Sequence, residues 1–157
     1  MPDANICNHT SAGMILRDGE KILLIERRQF PFGFAAPAGH VDEGESFEDA
    51  AIRELREEVG LEATNLELVF EGDISNQCKR KNGDWHHWKV FDVSYRGEVK
   101  RSLGETKSYI WADQEKIKSL VERSKMFLSD EISQPEWEFN PGLEPVWIDF
   151  LSLKSKI

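Results

Sequence analysis

Residues 39–61 constrain this chain more than any other stretch. They read as a glycine-punctuated loop, Gly39-His40-Val41-Asp42-Glu43-Gly44-Glu45, followed by a short helix over 46–59 and a glycine stop. Ser46 is a good helix N-cap, and Asp49 three residues later completes a capping-box-like pair. Gly60 stands where a left-handed closing residue is wanted. Between the caps, Ile52, Leu55 and Val59 recur at helical spacing, which predicts that they face a core.

The acids of this helix carry the chemistry. Glu54, Glu57 and Glu58 are related by three and four residues, so they share one face. Carboxylates held that close repel one another. A hard divalent cation takes oxygen ligands, and Mg²⁺ pairs a few carboxylates with the phosphates of a substrate. Ala50 and Ala51 adjoin this face and let the preceding loop pack closely. Gly39 and Gly44 permit the bends that bring loop carbonyls to the same metal. The plainer meaning of such a run is a solvated, salt-bridged helix, with Arg53 and Glu57 as an i,i+4 pair.

The stretch resembles the signature box of the Nudix hydrolases. That pattern is Gly, five residues, Glu, seven residues, Arg-Glu, an aliphatic, any residue, Glu-Glu, any residue, Gly and an aliphatic. Gly39, Glu45, Arg53, Glu54, Leu55, Glu57, Glu58, Gly60 and Leu61 fill it without departure. Just before the box, relatives often read Pro-Gly-Gly where this chain has Pro37-Ala38-Gly39. The resemblance implies an α/β/α sandwich with a mixed sheet, the box helix lying against it. It implies metal-dependent hydrolysis of a nucleoside diphosphate linked to another moiety, with Mg²⁺ or Mn²⁺ as cofactor. It makes Glu57 and Glu58 the principal metal ligands, Glu54 a further ligand or the base for the attacking water, and the Gly39 carbonyl a backbone ligand. Arg53 then orients glutamates by charge-assisted pairing, and Glu45 supports the site from behind. Relatives often use a glutamate outside the box, and Glu105 is the candidate, with an exposed loop acid as its ordinary meaning.

The rest of the chain alternates strand-like and helix-like runs, which reads as α+β or mixed α/β. Thr10 to Arg17 and Glu20 to Arg27 look like strands joined by an Asp18-Gly19 hairpin turn. Gln29 to Pro37 is a loop rich in Phe and Pro. Leu66 to Ile74, Trp85 to Tyr95 and Glu105 to Trp111 suit strands, the first two separated by a polar connection with an Asn82-Gly83 turn. Asp113 can cap a helix over 114–124 with Ile117, Leu120 and Val121 on one face. Residues 1–124 form the core of a single domain, and 125–157 an extension closed by a helix bearing Val146, Trp147, Phe150 and Leu151. The Trp147/Phe150 face is expected to pack on the domain or on a second copy of the chain, as a homodimer.

The 157 residues carry a formal charge of −9. That argues against a nucleic-acid-binding surface, which wants a basic stripe. It also makes a phosphate-bearing substrate repulsive unless bound cations intervene. Two cysteines are too few for a disulfide framework and fit a reducing cytoplasm. No signal peptide and no membrane-length apolar run is read. His86 and His87 tempt a zinc reading with Cys78, but neighbours on a strand point to opposite faces. One His and a distant Cys make no zinc site, and Cys7 and His9 look incidental. Phe30, Phe32, Phe34, Trp85 and Trp88 could stack on a base, and Arg27, Arg28 and Lys79 to Lys81 could meet phosphates. Core packing and a solvated loop are the commoner meanings, and the substrate-binding residues stay open. Two other functions compete with hydrolysis: a catalytically idle nucleotide sensor and an isoprenyl-diphosphate isomerase. Sensors of this kind commonly lose box glutamates, and the hydrolase-type box is intact here.

Overall fold

The computed structural model describes residues 5–155, the side chains of 153–155 excepted. Met1 to Ala4 of the polar lead-in, and Lys156 and Ile157, lie outside the described residues. The described residues form two compact units, one holding those up to residue 16 and residues 37–102, the other residues 17–36 and those from 103 on.

The first unit is built on strands β1 (Thr10–Ile15), β5 (Ala38–Gly39), β6 (Glu62–Ile74) and β7 (His86–Arg96), in the order β5-β1-β7-β6. The sheet is mixed: β1 runs parallel to β7, while the β1–β5 and β6–β7 pairs are antiparallel. Two register shifts, at Ala63/Asn65 and Leu68/Phe70, let the long β6 bend along its partner. Helix α1 (Phe47–Val59) packs on β1, β5 and β6.

Its ends follow local chemistry. The Ser46 hydroxyl accepts from the Asp49 N–H at 3.0 Å, and Glu48 and Asp49 place negative charge at the positive end of the helix. Gly60 closes it at φ +71°. Lys100 lies 3.0 Å from where a Cβ on Gly60 would fall, so the glycine answers both conformation and space. Ala50, Ala51, Leu55 and Val59 are buried as the periodicity requires, whereas Ile52 is only half-buried. The apolar stripe thus centres on the alanines and Leu55 rather than on Ile52.

The second unit holds β2 (Arg17–Asp18), β3 (Lys21–Arg27), β4 (Phe34–Ala35) and β8 (Thr106–Ala112), all antiparallel about β3. The hairpin expected at Asp18-Gly19 forms, with Gly19 at φ +62°, but its first arm is only Arg17 and Asp18. The residues before it do not continue the arm. Thr10 to Ile15 instead pair with His87 to Asp92, and that ladder outcompetes a longer local hairpin.

Helices α2 (Gln114–Leu128), α3 (Gln134–Phe139) and α4 (Val146–Ser155) complete the second unit. Asp113 caps α2 by accepting from the Lys116 N–H at 2.8 Å, and Ile117, Leu120 and Val121 are buried. The helix runs four residues past 124, because nothing in Lys125-Met126-Phe127-Leu128 opposes it. Ser133 caps the short α3, with Pro135 in its first turn, where a missing N–H costs nothing. On α4, Trp147, Phe150 and Leu151 are buried within the chain itself. Among the described residues no helix is long and apolar enough to cross a membrane.

Candidate active site

The acidic face of α1 forms around Arg53. Its guanidinium grips Glu45 with two bonds, Nε to Oε2 at 2.9 Å and Nη2 to Oε1 at 3.0 Å. Nη1 donates to Glu54 Oε1 at 2.9 Å and to Glu57 Oε2 at 3.2 Å. Nη2 also donates to the His40 carbonyl at 3.0 Å and lies 3.4 Å from the Asp42 carboxylate. One planar cation therefore fixes the loop, the box glutamate Glu45 and two of the three ridge acids.

This crowding shows in proton affinities. The bond from Arg53 holds Glu45 below the ordinary carboxylate range, and Glu45 in turn holds the Arg53 proton more tightly than usual. The Asp42 N–H donates to Glu45 Oε1 at 3.0 Å, and Gly44 at φ +80° lets the loop turn back to form that bond.

The ridge acids differ in exposure. The Glu57 side chain is 54% exposed, that of Glu54 is 14% exposed, and Glu58 as a residue is 5% exposed. Glu54 and Glu58 bring carboxylate oxygens within 4.8 Å of each other. Gly39 lies against the Glu54 carboxylate so closely that a Cβ there would overlap its Cδ and Oε1. That contact explains the glycine at this box position: any side chain would push Glu54 off the ridge. Arg53 faces four of these acids, Asp42, Glu45, Glu54 and Glu57. Carboxylate oxygens on Glu54 and Glu58 within 4.8 Å of each other suit a hard divalent ion, and the structure does not bring the Glu57 carboxylate into the same group.

Glu105 belongs to the second unit, immediately before β8, where its carbonyl accepts from the Arg28 N–H at 3.1 Å. Arg27 and Arg28 are engaged within that unit: Arg27 Nε donates to the Pro31 carbonyl at 2.6 Å, and Arg28 Nη2 donates to the Thr106 carbonyl at 3.2 Å. Trp88 is buried, while Trp85 is exposed and stacks on His9 with ring centroids 4.1 Å apart. Asp42, absent from the sequence-based set, joins the Arg53 cluster. Its place in the loop between Gly39 and Gly44 was the signal available.

One expectation is corrected here. His86 and His87 do face opposite ways: His86 is buried, and His87 is bound on the surface by Glu71 and Asp73 at 2.9 and 2.6 Å. Yet His86 is not a lone histidine with a distant cysteine, since the fold brings Cys7, His40 and Cys78 to it.

Comparison with known proteins shows the family. The model of the NUDIX domain matches residues 8–137, and the chain belongs to that family. A Nudix hydrolase of Clostridium acetobutylicum is 34% identical over 94 residues, covering 55% of this chain and 45% of the relative. The asymmetrical bis(5'-nucleosyl)-tetraphosphatase of mouse is 29% identical over 108 residues, covering 68% of this chain and 73% of the relative. The crystal structure of a MutT NUDIX hydrolase from Burkholderia pseudomallei superposes with a TM-score of 0.59 at 25% identity, over 66% of this chain and 81% of that one. The chain thus spans less than half of the clostridial relative and most of the other two.

Proposed function

We propose that this chain hydrolyses the pyrophosphate linkage of a nucleoside diphosphate derivative, with Mg²⁺ or Mn²⁺ held by Glu54, Glu57, Glu58 and the Gly39 carbonyl. The observation that carries the reading is the Glu54–Glu58 ridge, packed against Gly39 and tied down by Arg53. The family and the name of the mouse relative, a nucleosyl tetraphosphatase, support it.

A bound divalent cation supplies charge neutralisation at the diphosphate oxygens and makes its bound water a stronger acid. The chain's own residues do the rest. Glu57 and Glu58 would hold the ion, and Glu54, fixed through Arg53, would be a further ligand or accept the proton of the attacking water. Arg53 holds Glu45, Glu54 and Glu57 together through its own bonds. Phosphoryl transfer asks mainly for positioning and charge neutralisation, and a rigid acidic ridge provides both. Glu105 is proposed as an assisting carboxylate. A reducing cytoplasm is the proposed compartment, supported by two free cysteines.

The test is a panel of nucleoside diphosphate derivatives incubated with and without Mg²⁺, reading phosphate-containing products. Turnover that needs the metal and disappears in Glu58→Gln supports the reading. Binding without turnover makes the chain a sensor instead. Wild-type rates in Glu105→Gln remove Glu105 from the site and leave the ridge standing.

A further inference from the structure

Four side chains from separate parts of the sequence meet away from the ridge. Cys7 precedes β1, His40 follows the box glycine, Cys78 sits in the connection between β6 and β7, and His86 opens β7. One ligand atom from each lies within 4.8 Å of all the others. Cys7 and His86 are buried, and Cys78 and His40 are half-buried. All four belong to the first unit.

Two edges of the cluster have the length a tetrahedral site requires. With Zn–S at about 2.3 Å and Zn–N at about 2.0–2.1 Å, the S···N edge of a tetrahedral site is about 3.6 Å. Cys7 Sγ lies 3.6 Å from His40 Nε2 and 3.3 Å from His86 Nε2.

The groups behind the ligands are set for the same purpose. Asn76 Oδ1 faces Trp88 Nε1 at 3.0 Å and His86 Nδ1 at 3.0 Å. An indole N–H can only donate, so the Asn76 atom is the amide oxygen, and His86 Nδ1 must carry the proton. That leaves His86 Nε2 with its lone pair toward Cys7, the tautomer a metal ligand needs. Each sulfur accepts a backbone N–H from two residues on, His9 to Cys7 at 3.2 Å and Arg80 to Cys78 at 3.4 Å. Gly83 lies against Cys78 Sγ so closely that a Cβ there would overlap it.

We infer that Cys7, His40, Cys78 and His86 form a closed two-cysteine, two-histidine zinc site. It staples the N-terminal segment and the 76–86 connection to the loop that carries Gly39. Four protein ligands leave no open position, so the site is structural. Its reach toward the ridge is short, because the His40 carbonyl is also held by Arg53.

Reduced wild-type protein, desalted and assayed by plasma mass spectrometry, is expected to carry about one zinc per chain. Glu58→Gln should keep that zinc, which separates this site from the ridge. Cys78→Ser and His86→Gln should fall below about a tenth of an equivalent. Should those variants fail to fold, stripped wild-type protein reloaded with Co²⁺ alone decides the matter. It should show the intense visible bands and thiolate charge-transfer absorption of a tetrahedral site. Chelation should lower the wild-type Tm by roughly 5–15 °C, reversed by Zn²⁺ and not by Mg²⁺. Negligible zinc, no tetrahedral cobalt spectrum and thiol alkylation indifferent to Zn²⁺ would leave a hydrogen-bonded Cys–His cluster and overturn the site. An octahedral, oxygen-ligated cobalt spectrum would overturn it equally, by placing the ion on the glutamates.

Discussion

Arg53 and Glu45 lie eight residues apart and are joined by two parallel bonds, at 2.9 and 3.0 Å. The pair closes the box loop over the first turns of α1. It also fixes the guanidinium that meets Glu54 and Glu57. A lysine carries the charge but not the fork.

Arg53→Lys should therefore cost stability and rate together. Bonds to charged groups contribute about 1.5–3 kcal/mol each, and loss of the bidentate geometry should lower stability by roughly 1–3 kcal/mol. The rate should fall about tenfold to a hundredfold, because Glu54 loses its orientation. The pH dependence has a definite sign. Glu45 is depressed in the folded state, so its contribution is present above the ordinary carboxylate value of 4.5 and is lost as pH falls through the depressed value. The Tm gap between wild type and Arg53→Lys should be full near neutrality and shrink in acid. A gap that is constant down to pH 3 would refute the pairing as its source.

Glu58→Gln keeps the shape of a buried side chain and removes its charge. In a site that works by metal-borne charge neutralisation, kcat should drop at least about a hundredfold. The metal-free Tm should not fall, since the change relieves repulsion on the ridge. Wild-type protein should gain thermal stability with added Mg²⁺ by mass action, and Glu58→Gln should lose most of that gain. Glu57→Gln should follow the same pattern in rate. Its exposed pair with Arg53 contributes little to stability. Undiminished turnover in both variants would move the chemistry elsewhere.

The helix and its caps were legible in the sequence because every signal is local. Ser46, Asp49 and Gly60 act within a few residues, and the ridge follows from helical spacing. The interactions that escaped are those between distant segments. Cys7 and His86 are 79 residues apart and Cys7 and His40 are 33 apart, so no spacing rule joins them. What unites them is the parallel pairing of β1 with β7, which places Thr10 beside His87. The same pairing withdrew Thr10 to Ile15 from the hairpin that Asp18-Gly19 announced. The small α3 was missed because its six residues carry too little apolar periodicity to register.

Glu144 gives a pH effect of the opposite sign. Burial raises its carboxyl above the ordinary value, only partly offset by Arg27, whose Nε lies 3.6 Å away. The folded protein then holds this proton more tightly than the unfolded chain, so stability falls as pH rises from 4.5 through the folded value. Glu144→Gln removes that slope. Its Tm relative to wild type should improve as pH rises above 4.5 and level off above the raised folded value. Parallel melting curves for the two proteins across this range would contradict the assignment.

Trp147 decides what the C-terminal helix contributes. The residue is 1% exposed and meets Phe150 edge-on, with ring centroids 5.2 Å apart. The Trp147/Phe150 face is thus covered by this chain's own residues. Trp147→Ala should lower stability by about 3–5 kcal/mol, through lost apolar contact and the cavity left behind. Phe139, 88% exposed, provides the control: Phe139→Ala should stay within about 0.5 kcal/mol of wild type. Denaturant melts at two protein concentrations check both variants. If Trp147→Ala melts like wild type, the helix adds nothing to the fold. If its midpoint depends on protein concentration while the wild type's does not, the exposed face has been taken up by a second copy.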